Sequence, residues 1–207
     1  MQRKVFDKIT SAGGAVMVVV LVIAGGLLTW GHSFVDSNVH NQLAMQQIYF
    51  PPQSVWAHAT ANNTGEIQQR MIPYLKKYSG QQLLTGPQAE AYADHFIAYH
   101  LAVLPDGGVY SKLSAAAMSA KPGTASATLY KGLEQTSFQG TTLRGLLLEA
   151  YAFSKIGQVM LWGAIASFIM AALLAVLVGL GLAHARSTAP ETKMFTAPQP
   201  KTAVPVA

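Results

Sequence analysis

The stretch that decides the fold is SAGGAVMVVVLVIAGGLLTW, residues 11–30, with a second of the same kind, IGQVMLWGAIASFIMAALLAVLVGLGLA, at 156–183. No Asp, Glu, Lys or Arg occurs from Ile9 to Trp30, or from Ile156 to Ala183. At about 1.5 Å per residue, some 20 residues of helix cover the roughly 30 Å hydrocarbon core of a bilayer. Residues 9–30 and 156–183 are therefore predicted to be transmembrane helices. Trp30 and Trp162 stand near the ends facing the long loop between them, where amphipathic rings favour the headgroup layer. The composition agrees. Of 207 residues, 51% are hydrophobic and 11% charged, whereas an average soluble domain is about a quarter charged. This argues against a cytosolic enzyme and against a disordered chain.

The basic start MQRKVFDK suits a signal peptide, but the apolar core behind it is too long, and TWGHSFVD offers no small-x-small cleavage site. An uncleaved signal anchor is expected. Residues 1–8 hold Arg3, Lys4 and Lys8 against Asp7, and 184–207 hold Arg186, Lys193 and Lys201 against Glu191. Residues 31–155 are nearly balanced, with eight basic and seven acidic side chains. Excess positive charge on the short ends puts both termini in the cytoplasm and 31–155 on the outer side of the plasma membrane. The basic balance is thus a matter of topology. A nucleic-acid binder would concentrate its cations in the folded part, so no nucleic-acid partner is expected. The lipid bilayer is the first partner.

Within 31–155, residues 35–50 read as an amphipathic extension of the first span, stopped by Pro51–Pro52. A short helix is expected over 65–78, limited by Pro73. The strongest helix signal of the loop is TGPQAEAYADHFIAYHLAVLP. Thr85 is a fair N-cap with Gln88 three residues on, Pro87 falls in the first turn, and Pro105 ends the helix. Ser111 suits the cap of a further helix closed by Pro122–Gly123, and 124–136 is a weaker helical stretch. From about Thr141 a helix should run unbroken to Ala183. No strand is expected, and the Pro-rich tail 184–207 reads as disordered. The fold class is an all-α membrane protein. Two long antiparallel transmembrane helices extend into a stalk, and 31–155 forms a small helical extracytoplasmic cap.

The segments FDKIT (6–10), GGLLTW (25–30), IYFPP (48–52), GQQLLTG (80–86), YADHFIAYHL (92–101) and TLRGLLLEAY (142–151) together resemble a family of actinobacterial two-span membrane proteins. The resemblance covers most of residues 5–183. Members of that family are often labelled ring-opening dioxygenase, and the resemblance implies that activity as one to test.

A non-haem iron oxygenase needs two histidines and a carboxylate on one face of the metal. Of six histidines, only His95 and His100 lie near a carboxylate, Asp94. On a regular helix His95 and His100 point roughly 140° apart, so Asp94, His95 and His100 do not close on one ion. Zinc helices use a four-residue spacing for this reason. These three are the weak metal candidates; the alternative is packing among Tyr92 and Tyr99, with a site completed by His40 or His58 left open. Without cysteine, thiolate metal sites, disulfides and Cys nucleophiles are excluded. No G-x-S-x-G, P-loop or G-x-G-x-x-G occurs. Glu90 and Asp94, four apart, read as a solvated pair, and Asn62–Asn63–Thr64 as loop. No catalytic residue and no cofactor is expected. Transport is disfavoured, because neither span carries an ionisable residue.

Gly163, Ser167, Ala171, Ala175, Gly179 and Ala183 are small and four apart. Such a stripe lets another helix approach closely, either within the chain or from a neighbour. The function expected is that of a non-enzymatic membrane protein, an interaction or accessory subunit of an envelope or membrane complex. It would meet a protein partner or form a homo-oligomer through the second span or the cap. The alternatives are a metal-dependent ring-opening dioxygenase and an extracytoplasmic ligand-binding or sensor module.

Overall fold

A computed structural model describes residues 3–61 and 65–187. The expectations for residues 1–2, for the loop Asn62–Asn63–Thr64 and for the tail from 188 onward lie outside them. The described residues are almost entirely helical, with two isolated bridges, Tyr49 to Gln82 and Thr60 to Gln68, and no strand. Helix α1 runs Arg3–Met45 and α6 runs Ala125–Ser187; both are long and apolar enough to cross a membrane. Between them lie 3₁₀ turns at Gln53–His58 and Gln69–Met71, α2 (Ile72–Leu75), a further 3₁₀ turn at Lys76–Tyr78, α3 (Gly86–Tyr92), α4 (Ala98–Ala102), a turn at Pro105–Gly108 and α5 (Tyr110–Ser119).

The chain divides into two compact units, one of residues 1–30 with 160–207, the other of 31–159. In the first, α1 and α6 run antiparallel. A Cβ on Gly14 would meet Val178 and Leu174, one on Gly25 would meet Phe168, and one on Gly163 would meet Leu28. The residues turned inward recur every seven: Ser11, Val18 and Gly25 on α1, and Ala164, Ala171, Val178 and Ala185 on α6. That is the 3.5-residue period of a left-handed helix pair. Outside this seam the surface is apolar, with Val16, Ile23, Leu27, Leu173, Val176 and Leu180 all exposed. Where the pair ends, Asp7 Oδ2 lies 3.8 Å from His184 Nε2.

The second unit has its own core. Phe50, Met71, Leu75 and Leu83 are completely or almost completely enclosed, together with Trp56, Ala89, Ala93, Ile97 and, from the long helices, Leu43 and Leu147. Phe50 meets Tyr92 edge-on and Tyr78 tilted. Burying aromatic rings of this size contributes more than any polar contact in the unit. Thr85 caps α3 as its spacing requires. Its side chain accepts from the Gln88 N–H, while Gln88 Oε1 accepts from the Thr85 and Leu84 N–H groups.

Five boundaries differ from the sequence reading. Helix α1 stops at Met45 and not at the double proline. Gln47 adopts φ 52°, and the chain turns so that Phe50 enters the core with its N–H on Gln81 O. Pro73 sits in the first turn of α2 and limits no helix there. Val109, and not Ser111, stands at the N-cap of α5, without a side-chain bond. Helix α6 begins at Ala125, where Thr124 Oγ1 accepts from the Ala127 N–H, so the stretch 124–136 and the later helix are one element. At its other end α6 continues past Ala183 to Ser187, so the first four residues of the expected disordered tail are helical.

Candidate functional site

The segment YADHFIAYH carries the metal candidates, and its backbone is not a regular helix. Ala93–Ile97 forms a π turn between α3 and α4, with the Ala98 N–H bonded to Ala93 O. Such wide turns occur often at functional sites. This one places residues five apart closer to one face than the 140° of a regular helix allows. The side chains nevertheless go separate ways. Asp94 Oδ1 accepts from Arg144 Nη2 of α6 at 2.7 Å. His95 lies flat on the Tyr74 ring, centroids 3.5 Å apart and planes 7° from parallel, with Nδ1 3.1 Å from Tyr99 Oη. His100 Nδ1 is 2.7 Å from Phe96 O and its ring tilts against Phe96. Arg70 closes the cluster. Its guanidinium sits 4.2 Å over the Tyr99 ring and donates to Tyr99 O and Gln68 Oε1. Among the described residues no three His, Asp or Glu side chains converge in a way that could hold a metal ion. That includes any set drawing on His40 or His58, both exposed.

Burial pushes the pKa of His95 below the ordinary histidine value; Asp94 and Glu90 pull it back up and Lys77 adds to the lowering. The cause is the Tyr74 ring, which takes one face of the imidazole out of water. Tyr92 is raised, first by burial and then by Glu66.

The second unit also carries an open apolar groove of about 450 Å³ between its parts of α1 and α6. Its α1 wall presents Phe34, Val35, Asn38, Val39 and Gln42, with Gln46 just past the helix end; its α6 wall presents Leu143, Leu146, Ala150 and Phe153, with Glu149. Leu43 and Leu147 close the floor and belong also to the core on the other side. Phe34, Leu146 and Phe153 are each about half exposed, at 56%, 59% and 48%. One side of this helix pair is therefore covered by the smaller helices and the other is bare. Sequence reasoning missed the groove. The available signal was the run LRGLLLEAYAF, whose leucines go round α6, so that Leu147 and Ala150 cannot be the only apolar contacts it makes.

The small-residue stripe splits. Gly163, Ser167 and Ala171 lie toward α1, whereas Ala175, Gly179 and Ala183 are exposed. A strict four-residue step gains about 40° per repeat on a helix, while the seam follows a seven-residue repeat that drifts by only about 20°. The stripe and the seam coincide at Ala171 and part beyond it.

Neither protein-family models, nor curated proteins, nor solved structures give any match to this chain.

Proposed function

We propose that the chain is an integral protein of the plasma membrane that crosses it twice, with both termini in the cytoplasm and residues 31–155 outside. Its helical head is a non-enzymatic interaction module, an accessory part of a larger membrane assembly. The apolar groove carries this reading. A surface holding Phe34, Leu146 and Phe153 together is larger than the scattered apolar residues of an ordinary surface, and such patches mark contact with another molecule. Asp94, His95 and His100 support it from the other side, since each is engaged by a neighbour in its own direction. The exposed apolar surface of the first unit suits a lipid environment.

Replacing the exposed Leu146 by Asp tests the reading in the full chain. The variant should fold as before, because Leu146 supports no core contact, yet migrate as a smaller species in mild detergent. An unchanged assembly size, or protease treatment of intact cells that spares residues 31–155, refutes it. A second reading has one observation in its favour: the groove volume falls within the range of about 300–1,000 Å³ usual for small-molecule sites. Ligand sensing by the head would then show as a melting shift with an apolar ligand, unaffected by protein concentration.

A further inference from the structure

We propose that a second copy of this chain covers the groove, the two copies being related by a two-fold axis that passes alongside Asn38, Gln42 and Gln46. The inference rests on the membrane-anchored reading above and names the partner. The three amides stand four residues apart, Asn38 and Gln42 on one exposed line of α1 and Gln46 in the turn directly after it, and no described residue accepts or donates a hydrogen bond to their side chains. Opposite them the wall is Leu143, Leu146 and Phe153. Different occupants fit this combination differently. An acyl chain or a purely apolar foreign helix would bury the amides without partners, and an unsatisfied buried amide is costly. A primary amide both donates and accepts, so it pairs with another copy of itself.

Charge points the same way. Beside a two-fold axis each side chain meets its own counterpart, so an ionised group there would face a like charge. Residues 31–155 carry eight basic and seven acidic side chains, yet Glu149 is the one ionised group lining the groove, and it is exposed. Two copies inserted in one bilayer point the same way, so the axis relating them runs along the membrane normal. Its passage alongside Gln42 sets that residue against the second copy's Gln42, and Leu146 against the second copy's α1.

The chain has no cysteine, so one introduced thiol reports on one position. Gln42→Cys and His40→Cys, expressed in the full chain, are oxidised in isolated membranes and read as disulfide-linked dimer. His40 is exposed and stands about 200° round the helix from Gln42. Gln42→Cys should give about tenfold more dimer than His40→Cys, because a disulfide needs Cβ atoms within about 4.5 Å. Adding Leu146→Asp should remove most of it. Equal yields at the two positions, no dimer from Gln42→Cys, or its capture in an adduct with a different protein overturns the proposal. Labelling His40→Cys in intact cells with a membrane-impermeant maleimide separates the two layers. Labelled His40→Cys without Gln42 cross-linking refutes the second copy and leaves the exported head standing. Unlabelled His40→Cys refutes the exported head, and the proposal falls with it.

Discussion

Gly86→Ala should destabilise the second unit, and its cost follows from the packing of α3 on α6. A methyl group at Gly86 would lie 2.5 Å from Ser154 Oγ and 3.4 Å from Tyr151 Cα. Ordinary contacts between such atoms are about 3.5–4.0 Å, so the overlap is about 1 Å. Neither side yields freely. Gly86 opens α3 directly behind the Thr85 cap, and Ser154 lies inside the uninterrupted α6. Overpacking of this kind costs about 1–3 kcal/mol. For a chain of this size that lowers the melting temperature by about 2–12 °C. The assay is thermal unfolding of the purified full chain followed by circular dichroism. Ser154→Gly should then rescue Gly86→Ala, giving a coupling of about 1 kcal/mol or more between sites that are separately unfavourable. Gly132→Ala is the control. Nothing lies within 4 Å of a Cβ there, so it should stabilise by up to about 1 kcal/mol. A Gly86→Ala protein that melts with the parent, or a double variant showing only the sum of two losses, would refute the reasoning.

Gln88→Ala removes the acceptor for the Leu84 and Thr85 N–H groups and the donor to Gln81. It should cost about 1–2 kcal/mol, read as a shift in denaturant midpoint at constant m-value. Because folding lowers the pKa of His95, the unfolded chain takes up the proton first. This group's contribution is fully present above the ordinary histidine value near 6.5 and is lost as the pH falls from there through the lower folded-state value; His95→Asn should flatten that part of the stability–pH curve. Asp94→Asn should change stability by less than about 1 kcal/mol, because Arg144 is 40% and Asp94 34% exposed and such pairs contribute little. A larger loss in a urea titration would mean that the pair does more than its exposure allows.

The two long helices were readable because a charge-free run of that length rarely forms anything but a long apolar helix. The Thr85–Gln88 cap was readable because both its bonds are local. What escaped the sequence depends on partners far along the chain. The early start of α6 was obscured by Gly132, Gly140 and Gly145, which lower helix propensity. Gly140 is there because the Leu101 side chain lies 2.7 Å from where its Cβ would be. The end of α1 at Met45 is set by Phe50 entering the core. The π turn has no compositional mark at all. The groove needs α1 and α6 aligned in one register, and no single-helix periodicity carries that information.

The π turn at Ala93–Ile97 also makes a statement about sequence length. A wide turn is a helix with one residue too many, retained in place by what it packs on. Deleting a single residue there would let the segment relax into a regular α-helix. Everything downstream would then swing by about 100°, carrying Tyr99 away from Arg70. Chains descended from a common ancestor with this one should therefore vary in length in their loops before they vary here, and a gap within these five residues would mark a head rebuilt around a different core.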